Sequence, residues 1–242
     1  MDHAFYEMPD GRRIAYRHTP GSGPALVFLP GYMSDMAGGK ATALFDWARE
    51  QGRACLLLDY SGCGESDGEF AEGTLSRWRD EVLELVEART EGNIVLVGSS
   101  MGGWLMLLAG LKLVSRLAGM VGIAAAPDFT DWGYDAEQKA KLAAGETVFQ
   151  ENLYGTEPTP THPAFWQDGE EQRLLDREIP LDCPVRLLHG QLDHDVPPAI
   201  SLKLAQMLRS VDVQITLVKG AGHRLSRDGD VALLLRTVAA IA

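Results

Sequence analysis

The sequence predicts an α/β fold built on one mostly parallel sheet, and three observations predict it. Short aliphatic runs recur along the chain, each bounded by glycine, proline or aspartate. Helix-length amphipathic segments separate them, and one strand-like run ends in a glycine-flanked serine just before such a helix. Strands alternating with helices close into an open sheet with helices on both faces, because each crossover must bury its apolar stripe against the strands.

The elements follow in order. A segment with apolar residues at alternate positions (Ile14, Tyr16) comes after a turn at Asp10-Gly11, the mark of an antiparallel hairpin. Residues 25–29, 54–58, 94–97, 120–124, 185–188 and 213–218 are continuous aliphatic runs, suited to strands buried on both faces. Residues 41–50, 75–88, 103–113, 200–208 and 231–241 are the intervening helices; in the second, Leu75, Trp78, Val82, Leu85, Val86 and Arg89 follow three- and four-residue spacing. Residues 128–179 interrupt the rhythm. They hold no strand-like run, twelve acids against four bases, several prolines between 158 and 163, and the aromatics Phe129, Trp132, Tyr134, Phe149, Tyr154, Phe165 and Trp166. A long insertion rich in aromatics predicts a short helical cap over the strand ends, whose rings either line a substrate chamber or pin the cap to the sheet.

With 242 residues, 45% hydrophobic and 23% charged, the composition is that of an ordinary globular chain, expected to form one domain over residues 1–242 with the cap at about 128–179. A formal net charge of −12 disfavours nucleic acid and anionic membranes as partners. No apolar run reaches the roughly 18 residues a membrane span needs. The first residues lack the basic start and apolar core of a secretory signal, and their acids do not suit a transit peptide. Cys55, Cys63 and Cys183 are too few and too scattered for a disulfide framework, so the expected compartment is the cytoplasm.

Chemistry enters at Gly98-Ser-Ser100-Met-Gly102, a G-x-S-x-G placed between strand and helix. The turn carrying such a serine is so tight that side chains two residues either side would collide, which requires Gly98 and Gly102 and selects Ser100 over Ser99. The geometry leaves the amide of Met101 beside the reacting carbonyl. A serine hydroxyl near neutral pH needs a general base. His3 and His18 lie upstream in the hairpin, His162 sits among prolines, and His189 ends a strand where it caps or packs. His223, in a loop after the last strand, is the expected base, with His194 as the alternative. The acid that fixes the imidazole is expected at Asp193, with Asp195 second because an aspartate before Val-Pro usually caps a helix. The second oxyanion amide is expected at Tyr32, after the first long parallel strand. The glycine-rich loop 59–68 allows tight turns near the site, with Ser66 or Asp67 as a cap of a short helical turn. The chain has no G-x-G-x-x-G, no Walker loop and no H-E-x-x-H, so no cofactor and no metal is expected.

The order Ser100, Asp193, His223 is that of the α/β-hydrolase fold. More narrowly, Gly-Tyr-Met-Ser-Asp35, Asp59-Tyr-Ser-Gly62, Gly-Ser-Ser100-Met-Gly-Gly-Trp-Leu-Met106 and Arg186-Leu-Leu-His-Gly190 with Asp193 resemble the family whose mammalian member is a mitochondrial palmitoyl-protein thioesterase, also described as an acyl-glucuronide esterase. The resemblance implies a serine hydrolase with nucleophile, acid and base at Ser100, Asp193 and His223. The expected substrate is a small-molecule ester or thioester, or an acylated protein. The competing expectations are a non-catalytic ligand-binding protein of the same fold, and a cofactor-free haloperoxidase or carbon–carbon bond hydrolase.

Overall fold

The computed structural model describes residues 3–152 and 155–242. Tyr154 lies outside the described residues. The chain opens with β1 (Ala4–Glu7) and β2 (Arg13–Thr19), the antiparallel hairpin expected around Asp10-Gly11. The strands β3 (Ser22–Leu29), β4 (Arg53–Leu58), β5 (Ile94–Ser99) and β6 (Leu117–Ile123) alternate with α1 (Gly39–Glu50), α2 (Leu75–Arg89) and α3 (Met101–Lys112). After an inserted segment, β9 (Val185–Gly190), α7 (Pro198–Met207), β10 (Val213–Val218) and α8 (Asp228–Ala239) complete the chain. The eight-stranded sheet runs β1-β2-β4-β3-β5-β6-β9-β10, parallel from β4 onwards and antiparallel where β2 meets β4.

Successive residues of a strand point to opposite faces, and the sheet shows it. On one face Val27, Leu56, Leu96, Met120 and Leu187 pack under α2, α3 and α7; on the other Leu26, Leu57, Val95, Val121 and Leu188 pack under α1 and α8. Both faces of the central strands are covered, which is why those strands read as unbroken apolar runs; β10 corrects the expectation for residues 213–218, since it is an edge strand with no buried residue and its Gln214 and Thr216 face outward. Helix α3 is buried on every side from Met101 to Gly110, since the sheet lies beneath it and the inserted segment above. On α2 the apolar face holds one residue that hydropathy assigns to solvent. Glu81 is fully buried, ion-paired to Arg12, and accepts the Ser61 N–H at 2.9 Å.

The insertion contains α4 (Phe129–Trp132), α5 (Ala136–Ala143) and α6 (Pro163–Glu171), as a helical insertion requires. It also contains a small antiparallel pair, β7 (Val148–Gln150) with β8 (Thr159–Thr161), where no strand was expected. Three residues a side, with Pro160 in one of them, are too short to print a periodicity on the sequence. The two ends of the insertion are clipped together by Asp128, whose carboxylate accepts the N–H groups of Leu174 (2.8 Å) and Leu175 (2.7 Å). Ser76 at the start of α2 gives its N–H and hydroxyl to Asp168 of α6. Tyr32, Phe129, Phe165, Trp78 and Trp104 form one aromatic cluster, so these rings fix the insertion to the body. Among the described residues no helix is long and apolar enough to cross a membrane.

Candidate active site

The turn between β5 and α3 has the geometry its glycines demand. Ser100 sits at φ 54°, a left-handed conformation that costs a non-glycine residue roughly 1–3 kcal/mol and must be enforced by its surroundings. Enforcement comes from backbone bonds on both sides: the Ser100 N–H donates to Ile123 O (2.9 Å), and its carbonyl accepts from Gly103 (2.8 Å) and Ala126 (3.0 Å). A Cβ on Gly98 would stand 2.3 Å from Gly102 O, and one on Gly102 would stand 2.0 Å from Leu29 O. Gly98→Ala is therefore expected to destabilise the protein by about 1–3 kcal/mol through overpacking against rigid backbone, read as a shifted denaturant midpoint. An unchanged midpoint would mean the elbow can open at no cost.

His223 follows β10 and stands over the same strand ends. Its Nε2 lies 3.0 Å from Ser100 Oγ and its Nδ1 2.9 Å from Asp193 Oδ2. Asp193 is buried, and its second oxygen accepts the N–H groups of Asp195 (3.0 Å) and Val196 (2.9 Å). Burial alone would push this carboxyl up. The bonds from His189 and His223, the charge of His223 and the Val196 amide instead hold it well below the usual carboxylate range. Since carboxylate oxygens only accept, Nδ1 of His223 carries a proton, and Nε2 is left as the acceptor facing the serine.

The structure thus gathers Ser100, Asp193 and His223 and leaves the alternatives outside the line. His194 turns into a side chamber. Asp195 does not cap α7, which begins after Pro197 without a side-chain cap; it lines the cleft instead. His189 is buried and bonded, as its place at a strand end predicts. Asp193, Asp195 and His223 bring ligand atoms within 4.8 Å of one another, the one such set among the described residues, but two of the three are already bonded to each other.

The loop after β3 completes the site. A Cβ on Gly31 would lie 3.3 Å from Ser100 Cβ, so the chain passes directly beside the serine. Among the described residues the Tyr32 amide donates to no backbone acceptor. The Met101 amide, at the first turn of α3, has no partner within its helix. Both Tyr32 and Met101 line space around Ser100. The Tyr32 phenol donates to Pro160 O (3.0 Å) and so ties this loop to the insertion. Buried Asp59 holds the loop from below, accepting Met36 N–H (2.6 Å) and Glu65 N–H (3.0 Å). Neither Ser66 nor Asp67 caps the short helical turn at Phe70–Glu72, whose N-terminal flank is Glu69. Ser66 accepts from Ala15 N and donates to Asp59 O, and Asp67 pairs with Arg13, so the loop is stitched to β2. Asp59 was missed because one buried aspartate after a strand carries no periodic signal.

Two spaces meet at the serine. A cleft of about 950 Å³ runs along Lys40, Arg224 and the first turns of α8; a chamber of about 330 Å³ is lined by Phe129, Trp132 and Val196. Glu151 and Asp195 face both. Burial and the nearby Arg224 bring the Lys40 amine down to about 8, and its Nζ donates to the Arg224 carbonyl at 2.6 Å, beside His223. Cys55 and Cys63 are buried thiols pushed up to about 12 by burial, and Cys183 to about 11. None is an activated nucleophile.

Comparison with known proteins agrees with the geometry. A family model described as the alpha/beta hydrolase family matches residues 26–233. Human palmitoyl-protein thioesterase ABHD10, mitochondrial, is 35% identical over 97% of this chain and 78% of its own length. The mouse protein of the same name is 39% identical over 96% and 78%. The structure of alpha/beta hydrolase domain-containing protein 10 from mouse superimposes with a TM-score of 0.92 at 34% identity, covering 99% of this chain and 98% of that one. These names overturn the cytoplasmic expectation, because the human and mouse relatives are both named mitochondrial. The reason is physical: unpaired cysteines separate reducing from oxidising surroundings and do not distinguish one reducing compartment from another. With the elbow, the sheet order and relatives that match nearly the whole of this chain in agreement, the chain belongs to the alpha/beta hydrolase family, beside the ABHD10 thioesterases.

Proposed function

We propose that the protein hydrolyses carboxylic esters or thioesters through an acyl-enzyme on Ser100, with His223 as general base and Asp193 as the acid that orients it. The observation that carries this reading is the unbroken line from Asp193 through His223 to Ser100, at 2.9 and 3.0 Å, opening on a cleft. Ser100 Oγ attacks the carbonyl carbon while Nε2 of His223 takes its proton, and the imidazolium is stabilised by the ionised Asp193. Charge on the carbonyl oxygen is met by the amides of Tyr32 and Met101, each such donor worth about 3 kcal/mol in the transition state. Collapse expels the alcohol or thiol with the proton from His223. Water then repeats the sequence and frees the acid. Ser100 and His223 stand on one unit, with residues 128–179 as its cap.

The chamber under Phe129 and Trp132 suits an acyl chain or aryl group, and the larger cleft suits the leaving group. Glu151 and Asp195 line both spaces, and with Asp228 they outnumber Lys40 and Arg224 on the cleft wall, which disfavours a polyanionic leaving group. Small-molecule esters, thioesters and acylated proteins all meet these requirements. The relatives named palmitoyl-protein thioesterases support the thioester side of the reading.

A panel of p-nitrophenyl esters and neutral acyl thioesters of graded chain length, run beside a serine-directed fluorophosphonate probe, tests the proposal. Probe labelling at Ser100 together with turnover is expected. Neither labelling nor turnover would leave a ligand-binding protein. Within the panel, acyl-coenzyme A is expected to give kcat/KM at least about tenfold below a neutral thioester of the same chain, the difference shrinking at high salt. Equal values would remove the electrostatic argument.

A further inference from the structure

We propose that His189, on β9 behind Asp193, is a positioning residue for this reaction: its Nε2–H holds Asp193 Oδ2 in line with His223. The inference rests on the hydrolytic reading of Ser100, Asp193 and His223. Its basis is a bond pattern that the serine, histidine and aspartate do not need to hold together. His189 is fully buried at the end of β9, with no water-facing surface. Its Nε2 lies 2.9 Å from Val196 O and 3.2 Å from Asp193 Oδ2. Val196 O can only accept, so Nε2 carries a proton and gives it to that carbonyl, and the positive edge of the same N–H lies against Asp193 Oδ2. Nδ1 lies 2.7 Å from Ser201 Oγ on α7, a buried hydroxyl that donates to it when the ring is neutral.

Asp193 is thereby enclosed by donors: Oδ1 takes the two backbone amides of Asp195 and Val196, while Oδ2 takes the His223 imidazole and has His189 Nε2 at 3.2 Å on its other side. The two amides hold Oδ1, and with His223 alone on Oδ2 the carboxylate could still take up a proton there in its buried surroundings. The N–H of His189 opposes that protonation. Among the described residues the titratable groups against this carboxylate are His189 from β9, His223 from the loop after β10 and, on its own loop, Asp195, while Ser201 of α7 bonds the far side of His189. Among the influences that keep the carboxyl low, the bond from His189 stands beside that from His223. A strand-end histidine is ordinarily explained by packing, and packing alone does not require an N–H aimed at the acid of a hydrolytic site.

The test compares His189→Met, which fills similar space without a donor, with His189→Gln, whose amide N–H can reach the same oxygen, and with Ser201→Ala. His189→Met is expected to lower kcat about 10–100-fold, the scale of lost alignment, with KM within twofold of wild type. Its Asp193, with one donor fewer, attracts the proton on the neighbouring imidazolium more strongly, so the acid limb of kcat/KM, which reports protonation of the general base, moves up. His189→Gln is expected to recover most of the rate and return the limb. Ser201→Ala, which leaves the His189–Asp193 contact in place, is expected to move both in the same direction by less. Wild-type kcat and acid limb in folded His189→Met, with only its melting temperature reduced, would overturn the inference and leave the reading of Ser100 intact. If His189→Met does not fold, Ser201→Ala decides: a wild-type acid limb and an unmoved downfield proton resonance of the His223–Asp193 bond in that variant overturn the inference. Hydrolysis that survives Ser100→Ala would instead sink the underlying reading.

Discussion

Ser100→Ala is expected to lower kcat for ester hydrolysis by on the order of 10⁶-fold, the loss seen when an activated serine is removed from a base-assisted site. The size of the effect follows from non-additivity. Once Oγ is gone, His223 has no nucleophile to deprotonate and Asp193 has no imidazolium to stabilise, so one deletion removes the work of all three. What remains is the two amides and the cleft, which still bind and polarise a carbonyl. Stability should hardly change. Ser100 Oγ makes its bond to His223 across a partly open cleft, and alanine meets the same left-handed φ of 54° that serine already endures. The check is a pair of measurements on one preparation, an unfolding curve that overlays wild type and a hydrolysis rate near background. Overlaid curves with an unchanged rate would show that another group carries the reaction.

The legible part of this site was the part imposed by sterics. Gly98 and Gly102 stand where a Cβ would meet backbone oxygen at 2.3 and 2.0 Å, so the motif is a record of the turn and not merely a label for it. The sheet was legible for a related reason. With helices on both faces, strands must be apolar throughout, and runs such as residues 94–97 have little other use in a chain of this charge. The place of His223 and Asp193 beside the elbow was legible because each follows a strand at the edge where loops gather.

The illegible parts depend on contacts between segments remote in sequence. Glu81 lies on the apolar face of α2 at a position hydropathy gives to solvent, and its partners, Arg12 sixty-nine residues away and the Ser61 N–H twenty residues away, explain it. Asp195 looked like a helix cap because Val-Pro follows it, yet the chain bends through residues 194–196, α7 starts only after Pro197, and the carboxylate is left in the cleft. The β7–β8 pair escaped because its strands are shorter than the period needed to recognise them. Ser66 and Asp67 resembled capping residues and are instead the stitches between a loop and β2, an arrangement set by the neighbouring strand and not by the local sequence.

Asp193→Asn is expected to cost about 10⁴-fold in kcat at neutral pH while leaving the fold intact. The structure dictates which way the new amide must face. Asp195 N–H and Val196 N–H converge on Oδ1 at 3.0 and 2.9 Å, and they accept only an oxygen there. The amide nitrogen is therefore forced into the Oδ2 position, where it points hydrogens at His223 Nδ1 and His189 Nε2. His223 can satisfy that donor only by moving its proton to Nε2, the nitrogen that faces Ser100 Oγ. A base that already holds a proton on its working nitrogen cannot take one from the serine. Asp193→Ala should be no worse than Asp193→Asn despite removing more atoms, because the ring is then free to choose its tautomer. Fluorophosphonate labelling rates of the two variants measure this directly, since the probe needs the activated hydroxyl and little of the substrate cleft. An asparagine variant that labels within tenfold of wild type would mean that the carboxylate's charge and orientation do not set the state of His223.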